Sequence, residues 1–260
     1  MAMTRHVTLE GVENFRDFGD YATVAGRRLR PGRLYRSAAH GRATAADLEV
    51  IAALRIEVVV DLRRKNERLR DPSPRHPTFT GAVICNDEGD ENEDTWRAHV
   101  RQSDLSEASF RAYMFDYYRK APFDGRHLDL FSRYFKALAR SDGPILIHCA
   151  AGKDRTGILA ALTHHLTGVH PDDIIADYLL TNDERRMAMR MPIVAQAIEE
   201  IAGRIPSPAA LRTAMGVEAE YLHTAFAAIA ASHGGTDAYL EGALGVDAAL
   251  RDALEARLLA

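Results

Sequence analysis

One short segment of the 260-residue chain combines a cysteine and an arginine at a spacing that suits phosphate chemistry. Five residues separate Cys149 from Arg155, and they include Gly152 and Lys153. The planar guanidinium of an arginine can bind two phosphate oxygens at once, and a positive field of this kind also favours the thiolate form of a cysteine. A thiolate at the base of a phosphate-binding bowl is an activated nucleophile. The pattern therefore predicts phosphoryl transfer to Cys149.

The sequence on either side of Cys149 predicts the structure that such a bowl requires. The apolar run 145–148 is typical of a buried strand, and the segment after Arg155 has the apolar periodicity of a helix. A tight turn from a strand into a helix points successive backbone N–H groups into one concavity, and the helix N-terminus adds further unpaired N–H groups. The candidate phosphate-binding residues are Ala150, Ala151, Gly152, Lys153 and Thr156.

Two other interpretations of this segment were weighed against the nucleophilic site. Cys149 has the structural alternative of a small buried apolar residue at the end of a strand. A nucleotide-binding P-loop is excluded because its G-x4-G-K-[ST] pattern fails at both ends: Ile147 stands at the position of the first glycine, and Asp154 follows Lys153. The position of Cys-x5-Arg between an apolar strand and an amphipathic helix favours the nucleophilic site over the structural role.

The composition excludes several classes of protein. With 33 basic and 37 acidic side chains the net charge is −4, whereas a nucleic-acid-binding protein would normally carry a basic excess. Two cysteines are too few for a disulfide framework or a four-cysteine zinc site. His164 and His165 are adjacent and cannot share a helix face as metal ligands, and no H-E-x-x-H pattern occurs. We predict no metal and no cofactor.

The location of the protein and the role of the second cysteine are also predicted. Residues 1–10 lack the apolar core of a signal peptide, and no apolar run is long enough to cross a membrane. We expect a cytoplasmic protein with no stable membrane insertion; export without a cleaved signal peptide is the alternative. Cys85 is expected to pack within a strand, with a protective disulfide to Cys149 under oxidising conditions as the alternative.

Strands and helices alternate through the first part of the chain, and the last part is almost entirely helical. Apolar patterns predict strands at 33–36, 56–61, 78–85 and 145–148, and helices at 44–54, 110–118, 128–138, 158–166 and 171–179. The acidic run 87–94 is interpreted as a solvated loop, and residues 203–216 as an interruption of the C-terminal helices. The chain is predicted to be one α/β domain, residues 1–260, with a helical extension.

Several sequence blocks resemble those of a known enzyme family. Residues 148–157, HCAAGKDRTG, resemble the signature loop of cysteine-dependent tyrosine phosphatases. The Gly-Lys-Asp-Arg variant of this loop is similar to that of the bacterial atypical branch, which acts on phosphoproteins and phosphoinositides. Residues 14–19, NFRDFG, resemble the N-terminal NFRD-[LF]-G motif of that branch. Further blocks, at 34–37, 61–67, 176–182, 221–226 and 239–245, extend the resemblance over nearly the whole chain.

The resemblance implies a fold and roles for individual residues. The family fold is a central, mostly parallel sheet with helices on both sides, and two C-terminal helices can cover the active site as a lid, which here would fall within 187–231. Cys149 is implied to be the nucleophile, Arg155 to grip the phosphate and Thr156 to help the thiolate leave. Lys153 is implied to take part in phosphoinositide recognition. The implied partners are a phosphorylated protein or a phosphoinositide.

Two aspartates are candidates for the general acid that protonates the leaving oxygen. Asp61 ends an apolar strand, and the carboxyl ends of parallel strands face the ligand crevice of an α/β sheet. Asp154 lies inside the signature loop itself, where its alternative role is to hold the loop by hydrogen bonds. Both remain candidates, with a preference for Asp61 because a separate loop can approach the leaving oxygen from the side opposite the nucleophile.

The sequence therefore predicts a metal-independent phosphomonoester hydrolase that acts on phosphotyrosine through a phosphocysteine intermediate. Phosphoserine, phosphothreonine and phosphoinositides are further expected substrates. Two alternatives stay open: a phosphate-binding module without catalysis, and another thiolate enzyme such as a sulfurtransferase or an arsenate reductase. The presence of Cys149, Arg155 and two candidate acids argues against the first, and the block at 14–19 argues against the second.

Overall fold

The computed structural model describes residues 5–88 and 95–260, which form a five-stranded sheet with helices on both faces. The strands are β1 (Arg16–Asp17), β2 (Leu34–Ser37), β3 (Val58–Asp61), β4 (Ala82–Ile84) and β5 (Ile145–His148). Their order across the sheet is β1-β2-β5-β3-β4, and every neighbouring pair is parallel except β1 with β2. The predicted α/β architecture with a mostly parallel sheet is confirmed.

The helices of the first two thirds of the chain are α1 (Ala45–Ala53), α2 (Lys65–Arg70), α3 (Thr95–Gln102), α4 (Glu107–Lys120), α5 (Gly125–Arg140), α6 (Asp154–Leu166) and α7 (Pro171–Leu179). The C-terminal helices are α8 (Glu184–Ala202), α9 (Pro208–Met215), α10 (Ala219–His233), α11 (Thr236–Gly242) and α12 (Ala248–Leu258). Among the described residues, no helix is both long and apolar enough to span a membrane.

The central strands are apolar along their length because both faces of the sheet are covered. Val58 and Val60 of β3 face a large core that α4, α5 and α6 complete, whereas Val59 faces a smaller core on the side of α1. The parallel register pairs Ser37 and Asp61 with His148 from either side. The carboxyl ends of three strands therefore meet at one edge, directly before Cys149.

Two of the predicted element boundaries are wrong. Helix α9 lies inside residues 203–216, which were interpreted as an interruption. Pro208 occupies the first turn of α9, where backbone N–H groups have no partner within the helix, so the missing N–H of proline costs nothing. The Ser207 side chain caps the helix. The strand predicted at 78–85 is shorter, with only β4 regular. Most of the acidic run 87–94 lies outside the described residues.

The sheet also separates the two cysteines. Cys85 follows β4 and Cys149 follows β5, and β3 runs between these two strands. Neighbouring strands are about 4.8 Å apart, so two strand spacings put the cysteine Cα atoms roughly 9–10 Å from each other. A disulfide needs Cα atoms within about 7 Å. Both cysteines are free in this structure. The protective disulfide under oxidising conditions stays a prediction, and it would require this part of the chain to move.

Candidate active site

The signature loop joins β5 to α6 and places Cys149 at the base of a bowl. Cys149 is buried, and α6 begins five residues later. Gly152 adopts a positive φ of 66°, and a Cβ at this position would come within 2.5 Å of the Ser37 carbonyl. Only glycine meets both requirements, because a side chain would be strained and would collide with backbone.

Side chains behind the loop hold its carbonyl groups away from the bowl. The Asn14 amide donates to the Gly152 carbonyl at 2.9 Å, and the Arg36 guanidinium donates to the same oxygen at 3.1 Å. In a trans peptide the C=O and the following N–H point in opposite directions. Fixing the Gly152 oxygen on the outside therefore turns the Lys153 N–H towards the inside, where a phosphate would lie.

A buried ion network fixes these two side chains in turn. Asp177 on α7 binds Arg16 at 3.2 Å and Arg36 at 2.7 Å, and Arg16 also donates to the Asn14 side chain. Burial opposes ionisation of Asp177, but the two arginines outweigh it and hold the pKa of this carboxyl well below its usual range. Three sequence blocks that lie far apart in the chain thus meet behind the signature loop.

Arg155 is held in place by a carboxylate that the sequence analysis did not single out. Its Nη1 and Nη2 donate to the two oxygens of Glu67, at 2.5 and 2.8 Å, and Nη1 also donates to the Leu62 carbonyl. Burial would raise the pKa of Glu67, but Arg155 lowers it to about 2. These bonds use three of the five guanidinium N–H groups, so Nε–H and one Nη2–H remain as a fork for a phosphate. The only sequence signal for Glu67 was its place in the block 61–67.

Asp61 lies at the expected end of β3 but is engaged in a buried ion pair. Arg63 donates to both carboxylate oxygens, at 2.9 and 2.7 Å, and His148 lies 3.6 Å away. Burial opposes ionisation, but His148 and Arg63 outweigh it and hold the pKa of Asp61 well below its usual range. A carboxylate that stays ionised has no proton to donate at neutral pH. The geometry therefore argues against the preference for Asp61 as the acid.

Asp154 lies at the first position of α6 and is partly accessible, with 19% of its side chain exposed. The Tyr118 hydroxyl donates to Oδ1 at 2.9 Å, and the Tyr178 hydroxyl donates to Tyr118 at 2.6 Å. Its second oxygen, Oδ2, has no hydrogen bond within the described part of the chain. The two tyrosines thus orient the carboxyl group and leave one oxygen free for a proton transfer.

Lys153 points away from the mouth of the bowl in this conformation. Its ammonium donates to the carbonyls of Ala214 and Gly216, at 2.8 and 3.2 Å, where α9 ends. Burial lowers its pKa. In this conformation Lys153 therefore ties the signature loop to α9, and its part in phosphoinositide recognition stays a prediction.

Thr156 and His148 flank the loop as buried groups. The Thr156 hydroxyl has no hydrogen-bond partner in the described residues, so it is free to donate to a thiolate. Burial lowers the pKa of His148 to about 4, so the imidazole is neutral at neutral pH. Its place between Asp61 and Arg75 suits a structural role.

The outer rim of the loop borders a small polar cavity of about 250 Å³. Ala150 and Ala151 line it on the loop side, and Arg42 and Arg190 line it opposite. Arg190 also forms an ion pair with Glu13 at 2.8 Å. Among the described residues, no group of three or more His, Cys, Asp or Glu side chains could hold a metal ion.

Comparisons with known proteins agree with this geometry. Residues 7–260 match the model of a family described as the tyrosine phosphatase family. A protein of Cupriavidus necator named as a tyrosine-protein phosphatase is 35% identical over 94% of this chain and 86% of its own length. The triple specificity protein phosphatase PtpB of Mycobacterium tuberculosis is 32% identical over 90% of this chain and 92% of its own length. A tyrosine-protein phosphatase of Nostoc commune is 30% identical over 56% of this chain and 47% of its own length.

Proposed function

The chain belongs to the tyrosine phosphatase family, and we propose that it hydrolyses phosphomonoesters in two steps through a phosphocysteine on Cys149. The observation that carries the mechanism is the signature loop itself. Cys149 is buried at its start, other residues bind the carbonyls of residues 150–152, and Glu67 orients the Arg155 fork. Preorganised donors of this kind stabilise the charge that develops on the equatorial phosphate oxygens.

In the first step the Cys149 thiolate attacks phosphorus and the bond from phosphorus to the leaving oxygen breaks. The leaving oxygen takes a proton from a general acid, so the alcohol departs neutral. Arg155 and the amides of residues 150–153 bind the transferred phosphoryl oxygens. In the second step water attacks phosphorus, its proton returns to the acid, and the sulfur leaves as a thiolate. The Thr156 hydroxyl stabilises that thiolate by donating to sulfur.

Asp154 is the proposed general acid. Tyr118 fixes one of its oxygens and leaves the other free at the rim of the loop, whereas both oxygens of Asp61 are bound by Arg63. We assign Asp61 a positioning role. Its carboxylate holds Arg63 and lies against His148, the residue before the nucleophile.

We expect Asp154→Asn to lower the turnover of an alkyl phosphate far more than that of p-nitrophenyl phosphate. An aryl oxide is a good leaving group and needs little protonation, whereas an alkyl oxygen is strongly basic and leaves slowly unless it is protonated. We expect about 10²-fold or more on phosphoserine or an inositol phosphate, and a much smaller loss on the aryl substrate. The measurement is kcat/KM for both substrates as a function of pH. For the alkyl substrate, we expect the fall in rate at high pH to flatten in the variant.

Asp61→Asn serves as the comparison variant. It leaves Arg63 buried without its counter-charge, a change that typically costs about 3–5 kcal/mol. We expect lower stability and an equal loss on both substrates. A leaving-group bias in Asp61→Asn, with equal losses in Asp154→Asn, would reverse the two assignments.

The proposed substrates are phosphotyrosine, phosphoserine and phosphothreonine in proteins, together with phosphoinositides. The name of the M. tuberculosis relative, a triple specificity phosphatase, supports this breadth. Arg42 adds positive charge beside the loop, whereas Arg190 is already paired with Glu13. Turnover of all these substrates in the presence of EDTA tests the proposal. Binding without turnover would instead support a phosphate-binding module.

The proposed location is the cytoplasm. Cys149 must be reduced to act as a nucleophile, and thiols stay reduced in that compartment.

Within the predicted range 187–231, helices α8 and α9 are proposed to act as a lid over the site, whereas Tyr221 and Ile229 of α10 belong to the main core. Helices α8 and α9 pack against each other and against α3 and α4 through an apolar cluster that contains Ile198, Leu211 and Phe110. Met191 and Val194 of α8 also pack against this cluster. Lys153 joins α9 to the signature loop, so opening the lid requires the lysine to release two carbonyls.

We expect the amide protons of α8 and α9 to exchange with solvent through a local opening that leaves β5 and α6 protected. Lys153→Met should raise the exchange rate of α9 about tenfold, since it removes two charge-assisted hydrogen bonds. The exposed Lys136→Met provides a matched control with no change. Exchange of α8 and α9 only through global unfolding would contradict a lid.

A further inference from the structure

A large cleft lies on the face of the sheet that α1 covers, away from the polar rim of the signature loop. It measures about 730 Å³, which is within the usual range for a small-molecule site. We call it the β3–α1 cleft. It is bordered by α1, by β3 and by residues 74–82. Its apolar wall includes Leu48, Ile51, Ile56 and Phe79.

The charges around the β3–α1 cleft favour an anion. Among its described lining residues are three arginines, Arg55, Arg75 and Arg140, and one acid, Glu57. The Glu57 carboxylate already accepts hydrogen bonds from the Ser141 hydroxyl at 2.7 Å and the Gly143 amide at 2.6 Å. The cleft therefore combines an apolar wall with unmatched positive charge.

Arg75 is the most informative of these cations because its direct contacts are neutral groups, although the charges of Asp61 and Arg63 act on it from further away. Its guanidinium donates to the Pro74 carbonyl and lies 3.4 and 3.3 Å from His40 and His148. Burial lowers the pKa of both imidazoles, so they carry no charge at neutral pH and cannot repel the guanidinium. Within the described residues, no carboxylate comes within 4 Å of it.

Part of the hydrogen-bonding capacity of Arg75 is also unused. Nε is buried and has no partner among the described residues, and three contacts cannot occupy all five N–H groups. The unused Nη2–H can bind one carboxylate oxygen, and a small movement of the side chain would let Nε–H bind the other. The charge of Asp61 acts on Arg75, but both oxygens of that carboxylate are bound by Arg63. A desolvated guanidinium without a directly bound carboxylate is costly, and a bound anion would lower that cost.

The length of the β3–α1 cleft determines how long the apolar chain of the ligand can be. His40 and Arg75 lie towards the carboxyl ends of the strands, whereas Glu57 and Ser141 lie towards the amino ends. Three residues of β3 separate these ends, which corresponds to about 10 Å. A chain of medium length, anchored at Arg75, would follow the apolar wall between them.

We propose that the β3–α1 cleft binds an amphipathic monocarboxylate, with its carboxylate on Arg75 and its apolar body against Ile51, Ile56 and Phe79. This site is separate from the phosphate-binding bowl and does not depend on its chemistry.

Octanoate is the probe for this proposal, measured by isothermal titration on protein saturated with vanadate so that the signature loop is blocked. We expect saturable 1:1 binding of octanoate. Acetate lacks the apolar chain and octanol lacks the carboxylate, so each should bind at least about tenfold more weakly. Displacement of octanoate by vanadate, equal binding of octanol, or no saturable binding would overturn the proposal.

Two variants locate the site. Arg75→Gln should weaken octanoate binding about tenfold or more, and the exposed Arg119→Gln on α4 should not change it. Ala52→Trp should also abolish binding by filling the cleft from α1, and it tests the location even where Arg75→Gln does not fold. Unchanged affinity in either folded variant, verified by circular dichroism, would contradict the assignment.

Discussion

Cys149→Ser is expected to reduce the turnover of p-nitrophenyl phosphate and of phosphotyrosine to background while vanadate still binds. A serine hydroxyl fits the same bowl, and the inward amides and the Arg155 fork are unchanged. The hydroxyl is not ionised at neutral pH, so the nucleophilic anion is lost. The loss should therefore lie in kcat, and the affinity for a phosphate mimic should survive.

Two measurements separate this result from damage to the fold. The thermal unfolding of Cys149→Ser should match that of the wild type, because the substitution keeps the size of the side chain. Cys85→Ser is the matched control, since Cys85 lies two strands away and should be dispensable for turnover. Turnover in Cys149→Ser, free of wild-type contamination, would show that another residue attacks phosphorus.

The sequence predicts the signature loop well because its determinants are local. The strand, the turn and the helix lie within about twenty consecutive residues, and Gly152 is needed by the backbone of the turn itself. The apolar run of β5 and the cap of α1 at Thr44 were predictable for the same reason. Such signals depend on neighbours in the chain and need no knowledge of the tertiary fold.

Most partners of the site residues are not local, so the sequence does not indicate them. Asp61 does end β3 at the edge that faces the site, as predicted, but it lies against His148 of the neighbouring strand β5. Glu67 and Lys153 likewise gain their roles from contacts with residues more than 60 positions away. Composition and periodicity carry no information on such pairings.

The interruption predicted at 203–216 illustrates a different reason for failure. Proline and glycine were counted as breakers, although a proline in the first turn after a serine cap is a typical start of a helix. Helix α9 then supplies the carbonyls that bind Lys153. The region with the weakest helix signal thus contributes the contact that joins the proposed lid to the loop.

Arg155→Lys is expected to lower kcat/KM for phosphotyrosine about 10²-fold or more, although it conserves the charge. Glu67 uses both terminal nitrogens of Arg155 and so aims the remaining Nε–H and Nη2–H at the phosphate. A lysine has one rotatable ammonium and cannot bind the carboxylate and two phosphate oxygens in one plane. Arg133→Lys, at an exposed ion pair on α5, is the matched control and should keep full activity.

Glu67→Gln tests whether orientation, and not only charge, determines the effect of Arg155. The amide keeps a single acceptor oxygen, so Arg155 retains its charge but loses one of the two bonds that fix its plane. We therefore expect a loss smaller than that of Arg155→Lys, expressed mainly in kcat because the fork matters most when the phosphoryl oxygens spread in the transition state. Combining the two substitutions should add little to Arg155→Lys alone, because a lysine has no fork for Glu67 to orient. Fully multiplicative losses in the double variant would show that Glu67 acts on the reaction independently of Arg155.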